Sequence, residues 1–490
     1  MPEALWQIDA LVAAAGGQAD ARPSDKSVSV SGISIDTRTL GTGDLFVALK
    51  DQRDGHEFVS AAFEKGAAAA LVSVKYQRQD GDGLLIRVDD VLLALERLGA
   101  ASRARLSAGA RVIAVTGSAG KTTTKEMLRV ALEAVAPAHV HASIKSFNNH
   151  WGVPLTLARM PAQTRFAVFE IGMNHPGEIT PLTKLVKPHV ALVTTVEAAH
   201  LAAFSSIEDI ARAKAEIFQG LSVGGLAVLN RDNAYYGILR EAALAMPGVE
   251  IVSFGSGQVP DGEGAGSVSL RSAVPERDAG GTQICARFDT RATASDADVA
   301  FAIGANGQHM VLNALGVAAV LRAVGVDVAS ALRVLAGLGP PTGRGTREAI
   351  AVDGGTILLI DESYNANPAS MAAALRAMSA LPRSLYPRRI AVVGDMLELG
   401  DEAARLHAGL AAAVMSANID LVFAAGPNMR HLYTLLSPER QGAWAETSSG
   451  LEAALNESLA AGDAVMIKGS NGSRMAPLVD LVRGLGTRAA

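Results

Sequence analysis

The feature that most constrains this chain is a segment that combines an apolar run, a glycine turn and a helix start: RVIAVTGSAGKTTTKEML, residues 111–128. Val112–Val115 predicts a buried strand, and the spacing of apolar residues from Leu128 to Val135 predicts an amphipathic helix. Where such a strand meets such a helix, backbone N–H groups and the positive end of the helix dipole form a binding site for polyphosphate. The segment therefore predicts an α/β domain that binds a nucleoside triphosphate.

Each residue type in the glycine turn has a chemical reason to be there. Gly117 and Gly120 let the backbone approach an anion. Lys121 can reach the β- and γ-phosphates, and the Thr122 hydroxyl is placed to bind Mg²⁺. The pattern is G-x-x-G-K-T rather than G-x-x-x-x-G-K-[ST], because Val115 occupies the position of the first glycine. The predicted triphosphate-binding residues are Gly117, Ser118, Ala119, Gly120, Lys121, Thr122 and Thr123.

Charge and cysteine content disfavour several classes of function. The 490 residues include 44 Lys and Arg against 49 Asp and Glu, a net charge of −5, which disfavours non-specific binding to nucleic acid. Cys285 is the single cysteine, so the chain has no intrachain disulfide and no cysteine-rich zinc site. The first residues lack the features of a secretion signal, and apolar runs stay below the ~18 residues of a membrane helix. We therefore expect a cytoplasmic protein without membrane insertion.

The order of predicted elements divides the chain into three α/β domains. Residues 1–108 predict a small mixed α/β domain, and residues 109–336 predict a central P-loop domain with a parallel sheet. Two alternating segments, Ser267–Val274 and Thr282–Asp289, predict an antiparallel insert in the central domain. After a Pro- and Gly-rich boundary, residues 337–490 predict a Rossmann-like domain that lacks the G-x-G-x-x-G of dinucleotide sites.

Two side chains follow successive strands of the predicted central sheet. Glu170 ends the strand RFAVFE, and His200 follows the strand in VALVTTVEAAH. Because the carboxyl ends of parallel strands share one edge of a sheet, both side chains are predicted near the phosphate turn. A carboxylate and an imidazole beside a triphosphate are candidate Mg²⁺ ligands. Lys214, judged by its own helical pattern, is predicted to be an exposed lysine.

Polar groups in two other segments could bind a ligand. Ser34, Asp36 and Arg38 alternate along ISIDTRT, so they are expected on one face of a strand, where they would either hold a polar ligand or face solvent. The segment SFNNHWGVPLT is dense in amides before a predicted helix. Asn148 and Asn149 would either bind a ligand or cap that helix.

The third domain offers candidates of its own in DESYNANP, which follows an apolar strand. Tyr364 presents an aromatic face for a base, and Asp361 could accept hydrogen bonds from ribose hydroxyls. Arg344, in the boundary segment, could reach a phosphate when the domains close. The alternative is ordinary turn chemistry, since Asn and Pro are frequent after strands.

Taken together, these segments resemble the Mur ligase family, ATP-dependent enzymes that add amino acids to a UDP-linked peptidoglycan precursor. The resemblance covers nearly the whole chain through TGSAGKTTTK, SFNNHWGVPLT, FEIGMNHPGEI, AHLAAF, AKAEIF, GQHMVLNALGVAA, GPPTGRG, DESYNANPASM and VVGDMLELG. ISIDTRTLGTGDLFVAL with DGHEF is similar to the family's uridine-diphosphate-binding domain. FNNHWGVPLT, NHPGEI, YNANPASM and GDMLELG are similar to motifs of the members that join D-alanyl-D-alanine to UDP-N-acetylmuramoyl-tripeptide.

The resemblance implies a role for each candidate residue. The implied catalytic residues are Lys121, Glu170, His200 and Lys214. The implied Mg²⁺ ligands are Thr122, Glu170, His200 and, if it is carbamylated, Lys214. Further implied contacts to ATP are His309, Asn313, Arg344, Asp361 and Tyr364. Implied contacts to the UDP-linked substrate are Ser34, Asp36, Thr37, Arg38, Asn148 and Asn149.

The implied reaction has two steps. ATP phosphorylates the C-terminal carboxylate of the tripeptide, and the amine of D-alanyl-D-alanine then attacks the acyl phosphate. Because water would hydrolyse that intermediate, the third domain is expected to close as a rigid body about residues 336–345. The resemblance thus implies ATP, Mg²⁺, UDP-N-acetylmuramoyl-tripeptide and D-alanyl-D-alanine as partners, and we expect a monomer.

Three alternatives stay open at this point. A sister ligase with another amino acceptor would share the ATP and UDP sites, although the D-N-P-R motif of the diaminopimelate-adding relative is absent. A P-loop regulatory GTPase would need N-K-x-D, and the nearest string, Asn230-Arg-Asp-Asn233, has its aspartate one place too early. A non-catalytic scaffold is disfavoured by the intact candidate residues. Thr195 and Glu197 depart from the family pattern, which affects individual contacts rather than the reaction.

Overall fold

The apolar runs of this chain form three β-sheets, one after another along the sequence, and a short two-stranded ribbon. The computed structural model describes residues 4–20, 29–144, 146–199, 201–260, 263, 266–276, 281–289 and 297–488. None of the helices in these ranges is both long and apolar enough to cross a membrane. The predicted α/β class is confirmed.

The first sheet has five strands in the order β2-β7-β6-β5-β4. Its strands β4 to β7 are parallel, and β2 joins the edge antiparallel to β7. The elements of this part are β1 (Trp6–Gln7), α1 (Ile8–Ala15), β2 (Gln18–Asp20), β3 (Ser29–Val30), β4 (Gly32–Ser34), β5 (Asp44–Val47), α2 (Val59–Glu64), β6 (Ala69–Ser73), β7 (Leu84–Val88) and α3 (Val91–Ala104). The ribbon pairs β1 with β3.

The second sheet has nine strands in the order β16-β15-β14-β13-β12-β11-β8-β10-β9. Its elements are β8 (Arg111–Thr116), α4 (Lys121–Val135), β9 (Val140–Ala142), α5 (Gly152–Ala158), β10 (Phe166–Glu170), α6 (Ile179–Val186), β11 (Val190–Val193), α7 (Ile207–Ala215), β12 (Leu226–Asn230), α8 (Tyr236–Leu244), β13 (Glu250–Gly255), β14 (Val268–Pro275), β15 (Thr282–Phe288), β16 (Ala297–Ile303), α9 (Gln308–Ala323) and α10 (Val328–Leu332). Strands β9 to β14 run parallel, and β14, β15 and β16 then continue antiparallel, so the predicted insert extends the same sheet.

The third sheet has six strands in the order β17-β18-β22-β19-β20-β21, all parallel except β17. Its elements are β17 (Thr346–Val352), β18 (Gly355–Glu362), α11 (Pro368–Ser379), β19 (Arg388–Gly394), α12 (Ala403–Ala408), α13 (Leu410–Ser416), β20 (Leu421–Ala425), α14 (Met429–Tyr433), β21 (Gln441–Ala445), α15 (Glu452–Ser458), β22 (Asp463–Lys468) and α16 (Ala476–Arg488). Apolar clusters cover both of its faces, as a parallel sheet requires.

The first two sheets share part of one apolar core. Leu155 and Ala158 of α5, which belongs to the central region, pack in the same cluster as Leu95 and Leu98 of α3. The indole N–H of Trp6 also donates to the carbonyl oxygen of Ala158 at 3.1 Å. The first region is therefore attached to the central one by buried apolar contact as well as by the chain.

Candidate active site

The predicted phosphate loop between β8 and α4 is present, and two glycines determine its shape. Gly117 has a φ of +152° and Gly120 a φ of +82°, conformations that glycine adopts most readily. A Cβ on Gly117 would lie 1.9 Å from Thr194 Oγ1, and one on Gly120 would lie 2.6 Å from Asn313 Oδ1. Both conformation and space therefore select glycine at these positions.

Side chains and backbone on either side hold this loop in place. The Lys121 ammonium donates to the Gly117 carbonyl at 2.7 Å. Ser118 of the loop bonds to the segment after β11: its N–H donates to the Thr195 carbonyl at 2.8 Å, and its hydroxyl donates to the Glu197 carbonyl at 3.0 Å. Thr195 and Glu197, which both depart from the family pattern, thus contact the loop through backbone atoms that any residue supplies.

The N-terminus of α4 faces this loop without a capping side chain. Its N-cap is Gly120, which has no side chain to accept from the first-turn N–H groups. Thr123 is buried in that turn, and the Ala119 carbonyl accepts from the Thr194 hydroxyl at 2.5 Å. Uncapped N–H groups at a helix start are available to an anion, so the loop has the donors that a polyphosphate needs.

Glu170 lies beside the phosphate loop, as the strand-end argument predicts. It ends β10 and pairs in register with Val115 on the neighbouring strand β8. Its Oε2 accepts from the Thr122 hydroxyl at 2.9 Å, and its Oε1 accepts from the Asn148 amide at 2.8 Å. Glu170 is 1% exposed, and within the described ranges no Lys, Arg or His lies at ion-pair distance from it.

These residues fit a divalent cation. The two direct side-chain partners of the buried Glu170 carboxylate are neutral, the Thr122 hydroxyl and the Asn148 amide, and a bound cation would compensate its negative charge. The Thr122 and Glu170 oxygens, adjacent to each other and to the phosphate loop, are ligands of the kind Mg²⁺ takes. His200 lies outside the described residues, so its role as a metal ligand stays a prediction.

Lys214 is buried, so the prediction of an exposed lysine from its own pattern was wrong. The residue is 2% exposed because it lies one helical turn after Ile210, on the face of α7 that packs inward. Burial lowers the pKa of Lys214 well below its usual range, and the positive charge of Lys121 lowers it further. Burial also lowers the pKa of Lys121, against the effect of the Glu170 charge. Lys214 therefore loses its ammonium proton more readily than an exposed lysine does.

The third region reaches over the phosphate loop through two stacked side chains. The Arg344 guanidinium lies 4.3 Å above the centre of the Tyr364 ring. Arg344 Nη2 donates to the Thr122 hydroxyl at 3.2 Å, and the Tyr364 hydroxyl donates to Ser146 Oγ at 2.8 Å. Both side chains thus lie beside the phosphate loop, and Arg344 touches the hydroxyl that also binds Glu170. The expected contact of Tyr364 with a base stays a prediction.

A second contact joins the third region to the segment after His200. The Ala202 N–H donates to the Glu398 carbonyl at 3.0 Å. Leu201 packs against the apolar core on one face of the central sheet and also against a core of the third sheet. The position of the third region is therefore coupled to the backbone next to a predicted metal ligand.

Three predicted ATP contacts have different surroundings. Asp361 is 2% exposed, and one of its oxygens accepts from both the N–H and the hydroxyl of Ser363, so its carboxylate stabilises the turn after β18. Asn313 packs against Gly120, which places it behind the phosphate loop. His309 is exposed near the start of α9. Contacts of these residues to ATP stay predictions.

The first region contains a cleft of about 1410 Å³ that Asp36, Thr37 and Arg38 help to line. The expectation that Ser34, Asp36 and Arg38 share a strand face was wrong, because β4 ends at Ser34 and residues 36–39 form a turn. Asp36 Oδ1 accepts from the Arg38 N–H at 2.9 Å, and this local bond competes with strand pairing. The guanidinium of Arg38 lowers the pKa of the Asp36 carboxyl. Ser34 is buried under the turn and donates to the Asp36 carbonyl at 2.9 Å.

The two amides of the SFNNHWGVPLT segment have separate roles. The Asn148 amide donates to Glu170 within the site. Asn148 was predicted to lie near the tripeptide, and this contact was not predicted. The Asn149 side chain accepts from the Gly152 N–H at 2.9 Å and so caps the start of α5, one of the two predicted alternatives. Asn149 therefore has a structural partner whether or not a ligand is bound.

Comparison with known families shows what kind of protein carries this site. The model described as "Mur ligase middle domain" matches residues 115–321, and the model described as "Mur ligase, glutamate ligase domain" matches residues 347–471. The chain belongs to the Mur ligase family. The predicted family and the predicted enzyme class, an ATP-dependent ligase, are confirmed.

Similar proteins cover nearly all of this ligase. Those named UDP-N-acetylmuramoyl-tripeptide–D-alanyl-D-alanine ligase include one from Bacillus subtilis, 34% identical over 94% of this chain and 95% of the relative. Another, from Escherichia coli, is 35% identical over 83% of this chain and 84% of the relative. The crystal structure of MurF from Acinetobacter baumannii has a TM-score of 0.79 and 29% identity over 98% of this chain and 100% of that one. MurF ligase from Thermotoga maritima in complex with ADP has a TM-score of 0.73 and 25% identity over 94% and 98%.

His56 is a further polar residue of the cleft in the first region, and it is not among the predicted site residues. Its Nδ1 lies 2.6 Å from Asp54 Oδ1, and its Nε2 accepts from the Ser73 N–H at 3.0 Å. His56 also lines the cleft with Trp151. The DGHEF motif contains this histidine, and its position two residues after an aspartate was the signal available in the sequence.

Proposed function

We propose that this ligase joins D-alanyl-D-alanine to UDP-N-acetylmuramoyl-tripeptide, with hydrolysis of ATP to ADP and phosphate. One observation carries the proposal: the buried Thr122 and Glu170 and the half-buried Asn148 are joined by hydrogen bonds beside the phosphate loop and the start of α4, which has no capping side chain. A site of this kind suits transfer of the terminal phosphoryl group of a nucleoside triphosphate. The names of the relatives supply the substrates, because the chain matches them over most of its length.

In the first step, the loop and Lys121 would hold the triphosphate while the tripeptide carboxylate attacks its terminal phosphorus. Two anions must approach each other, so the positive charge of Lys121 and the uncapped N–H groups of α4 stabilise the developing transition state. Mg²⁺ bound by Thr122 and Glu170 would supply further neutralisation of phosphate charge. Asn148 orients the Glu170 carboxylate by donating to its Oε1.

Lys214 would contribute as a carbamate. Because burial lowers its pKa, Lys214 gives up its proton more readily than an exposed lysine, and the resulting amine would attack CO₂. A C–N bond forms, one C=O π pair moves onto oxygen, and the nitrogen loses a second proton. The product is an anion, which the neighbouring positive charge of Lys121 would stabilise. Such an anion would bind a second Mg²⁺ through oxygen.

The third domain would complete the site and exclude water. Arg344 and Tyr364 already reach Thr122 and Ser146, so a small rigid-body movement about residues 336–345 would bring them onto the bound triphosphate. The amine of D-alanyl-D-alanine then attacks the acyl phosphate, an amide bond forms and phosphate leaves. The uridine part of the substrate would occupy the cleft that Asp36, Thr37 and Arg38 line.

The decisive experiment measures phosphate release from ATP with UDP-N-acetylmuramoyl-tripeptide, with and without D-alanyl-D-alanine, and identifies the product by mass spectrometry. We expect release that depends on D-alanyl-D-alanine and yields the UDP-linked pentapeptide. Lys121→Met is the matched inactive control, because it removes the charge at the phosphate loop and keeps side-chain length.

Other outcomes have defined meanings. Turnover with diaminopimelate or L-lysine instead of D-alanyl-D-alanine would assign a sister reaction to the same ATP site. ATP hydrolysis that no amino acceptor stimulates would refute the ligase reaction proposed here. Predictions of a cytoplasmic location and of a monomer stand beside this proposal and would be checked by cell fractionation and by light scattering.

A further inference from the structure

Lys125 is a charged residue in a fully buried position. It lies on α4 one helical turn after Lys121, and its side chain is 0% exposed. Its ammonium lies 2.6 Å from Glu126 Oε1. Burial of an ammonium group requires compensation even when it is paired, and a pair of this kind is rarely a net source of stability. A specific function for Lys125 would explain why an apolar residue does not fill this space.

The Lys125 ammonium holds the end of strand β9. It donates to the Ser143 carbonyl at 2.7 Å. The hydroxyl of the same Ser143 accepts from the Glu170 N–H at 3.1 Å, and the Ser143 N–H donates to the Val168 carbonyl at 3.1 Å. Ser143 thus connects the buried ammonium to the backbone of the residue that carries the active-site carboxylate.

Two residues shortly after Ser143, Ser146 and Asn148, lie beside Thr122 and the Glu170 carboxylate. Ser146 Oγ lies 3.4 Å from Thr122 Oγ1, and Asn148 donates to Glu170 Oε1 at 2.8 Å. Glu170 is consequently held twice by this segment, through its N–H at Ser143 and through its side chain at Asn148. Lys125 fixes the point where the segment begins.

We propose that Lys125 is a positioning residue that sets the geometry of Glu170 and Thr122 by holding the Ser143 carbonyl. The inference rests on the proposed function, in which these two residues hold the cation next to the triphosphate. In this role Lys125 needs no contact of its own with substrate or metal. It acts through Ser143, so its loss weakens metal binding while the phosphate loop keeps its shape.

The test uses the full chain and Lys125→Met, which preserves side-chain length and removes the charge and the donor. Affinity for Mn²⁺ in the presence of ADP is measured by electron paramagnetic resonance, and affinity for ADP without metal is measured by fluorescence of a labelled ADP. We expect the Kd for Mn²⁺ to rise about tenfold, equivalent to about 1.4 kcal/mol. The Kd for metal-free ADP should change less than about twofold, a change below about 0.5 kcal/mol.

Two further variants separate positioning from a general loss of packing. Ser143→Ala removes the hydroxyl that accepts from the Glu170 N–H, and its Mn²⁺ Kd should rise less than that of Lys125→Met. If Lys125→Met does not fold, Ser143→Ala tests the same connection to Glu170. Leu128→Ala is the matched control, since Leu128 is equally buried on α4. It should lower Tm and leave the Mn²⁺ Kd unchanged.

An unchanged Mn²⁺ Kd in folded Lys125→Met and in Ser143→Ala would overturn the proposal, and so would an equal rise in Leu128→Ala. These readouts need no amino acceptor. If the wild-type chain binds Mn²⁺ with ADP but shows no turnover with D-alanyl-D-alanine, the proposed function fails and the positioning role of Lys125 is still decided.

Discussion

Substitution of Gly120 by alanine tests how the phosphate loop is built. The φ of +82° at Gly120 is costly for a residue with a Cβ, by about 1–2 kcal/mol. The new Cβ would also lie 2.6 Å from Asn313 Oδ1, so Asn313, which is 9% exposed, must leave its packed position. Displacement of a well-packed side chain costs about 1 kcal/mol or more. We expect Gly120→Ala to reduce the free energy of unfolding by about 2–3 kcal/mol.

The assay is thermal unfolding combined with ATP binding. A loss of that size lowers Tm by about 5–10 °C for a domain of this type. The affinity for ATP should fall at least about tenfold, because the N–H groups at the start of α4 move with Gly120.

A double-mutant cycle divides the effect into its two causes. In the Gly120→Ala, Asn313→Ala double variant the new Cβ no longer meets the Asn313 side chain. Relative to Asn313→Ala alone, Gly120→Ala should then destabilise by about 1 kcal/mol less, and the cost of the positive φ at residue 120 should remain. Gly237→Ala is the matched control, since Gly237 lies in α8 with open space around it, and it should stabilise by about 0.5–1 kcal/mol. A Gly120→Ala protein with the Tm and ATP affinity of the wild type would refute the reasoning.

Three other predictions follow from single contacts. Asn148→Ala removes the donor to Glu170 Oε1, so kcat for ATP-dependent ligation should fall about tenfold, and the KM for Mg²⁺ should rise; an unchanged Mg²⁺ dependence would contradict the contact. Burial lowers the pKa of His141 to about 4, so its neutral form stabilises the fold above pH 6.5, and this stability is lost as pH falls below that value. Between pH 7 and pH 5 the free energy of unfolding should fall by about 2 kcal/mol, measured by urea unfolding, and this fall should be smaller in His141→Gln. Tyr364→Phe keeps the stacking on Arg344 and loses the hydrogen bond to Ser146, which joins the third domain to the central one, so kcat should fall about threefold to tenfold with Tm unchanged. Loss of this bond should also reduce domain closure, so small-angle scattering that shows the wild-type compaction with ATP and substrate would oppose this account.

Sequence patterns predicted the parts of the site that depend on strand geometry. The strand, turn and helix around Lys121 follow from apolar spacing and glycine positions, and Glu170 follows because parallel strands end at one edge. These predictions succeed because they rest on the backbone alone. The buried state of Lys214 depends on which face of α7 meets the sheet, and the pattern of one helix does not determine that.

Local hydrogen bonds account for the predictions that were wrong or incomplete. Residues 34–38 alternate like a strand, but the Asp36 carboxylate binds the Arg38 N–H and turns the chain. Nothing in the sequence indicated a local role for Asp361, one of whose carboxylate oxygens accepts from the Ser363 hydroxyl and stabilises that turn. The apolar pattern of Thr346–Val352 is too weak to predict β17, which lies at the edge of its sheet and is defined by antiparallel pairing with β18.

The shared core around α5 has a consequence for how relatives of this enzyme could exchange parts. Leu155 and Ala158 contribute to the interior of the first region although the chain places them in the second. In a chimaera that takes residues 1–108 from another ligase, these side chains would pack against apolar residues whose shapes do not match them. Recombination at that boundary should therefore succeed only when α5 is inherited together with the N-terminal sheet, whereas a cut near residue 340 leaves this shared core intact.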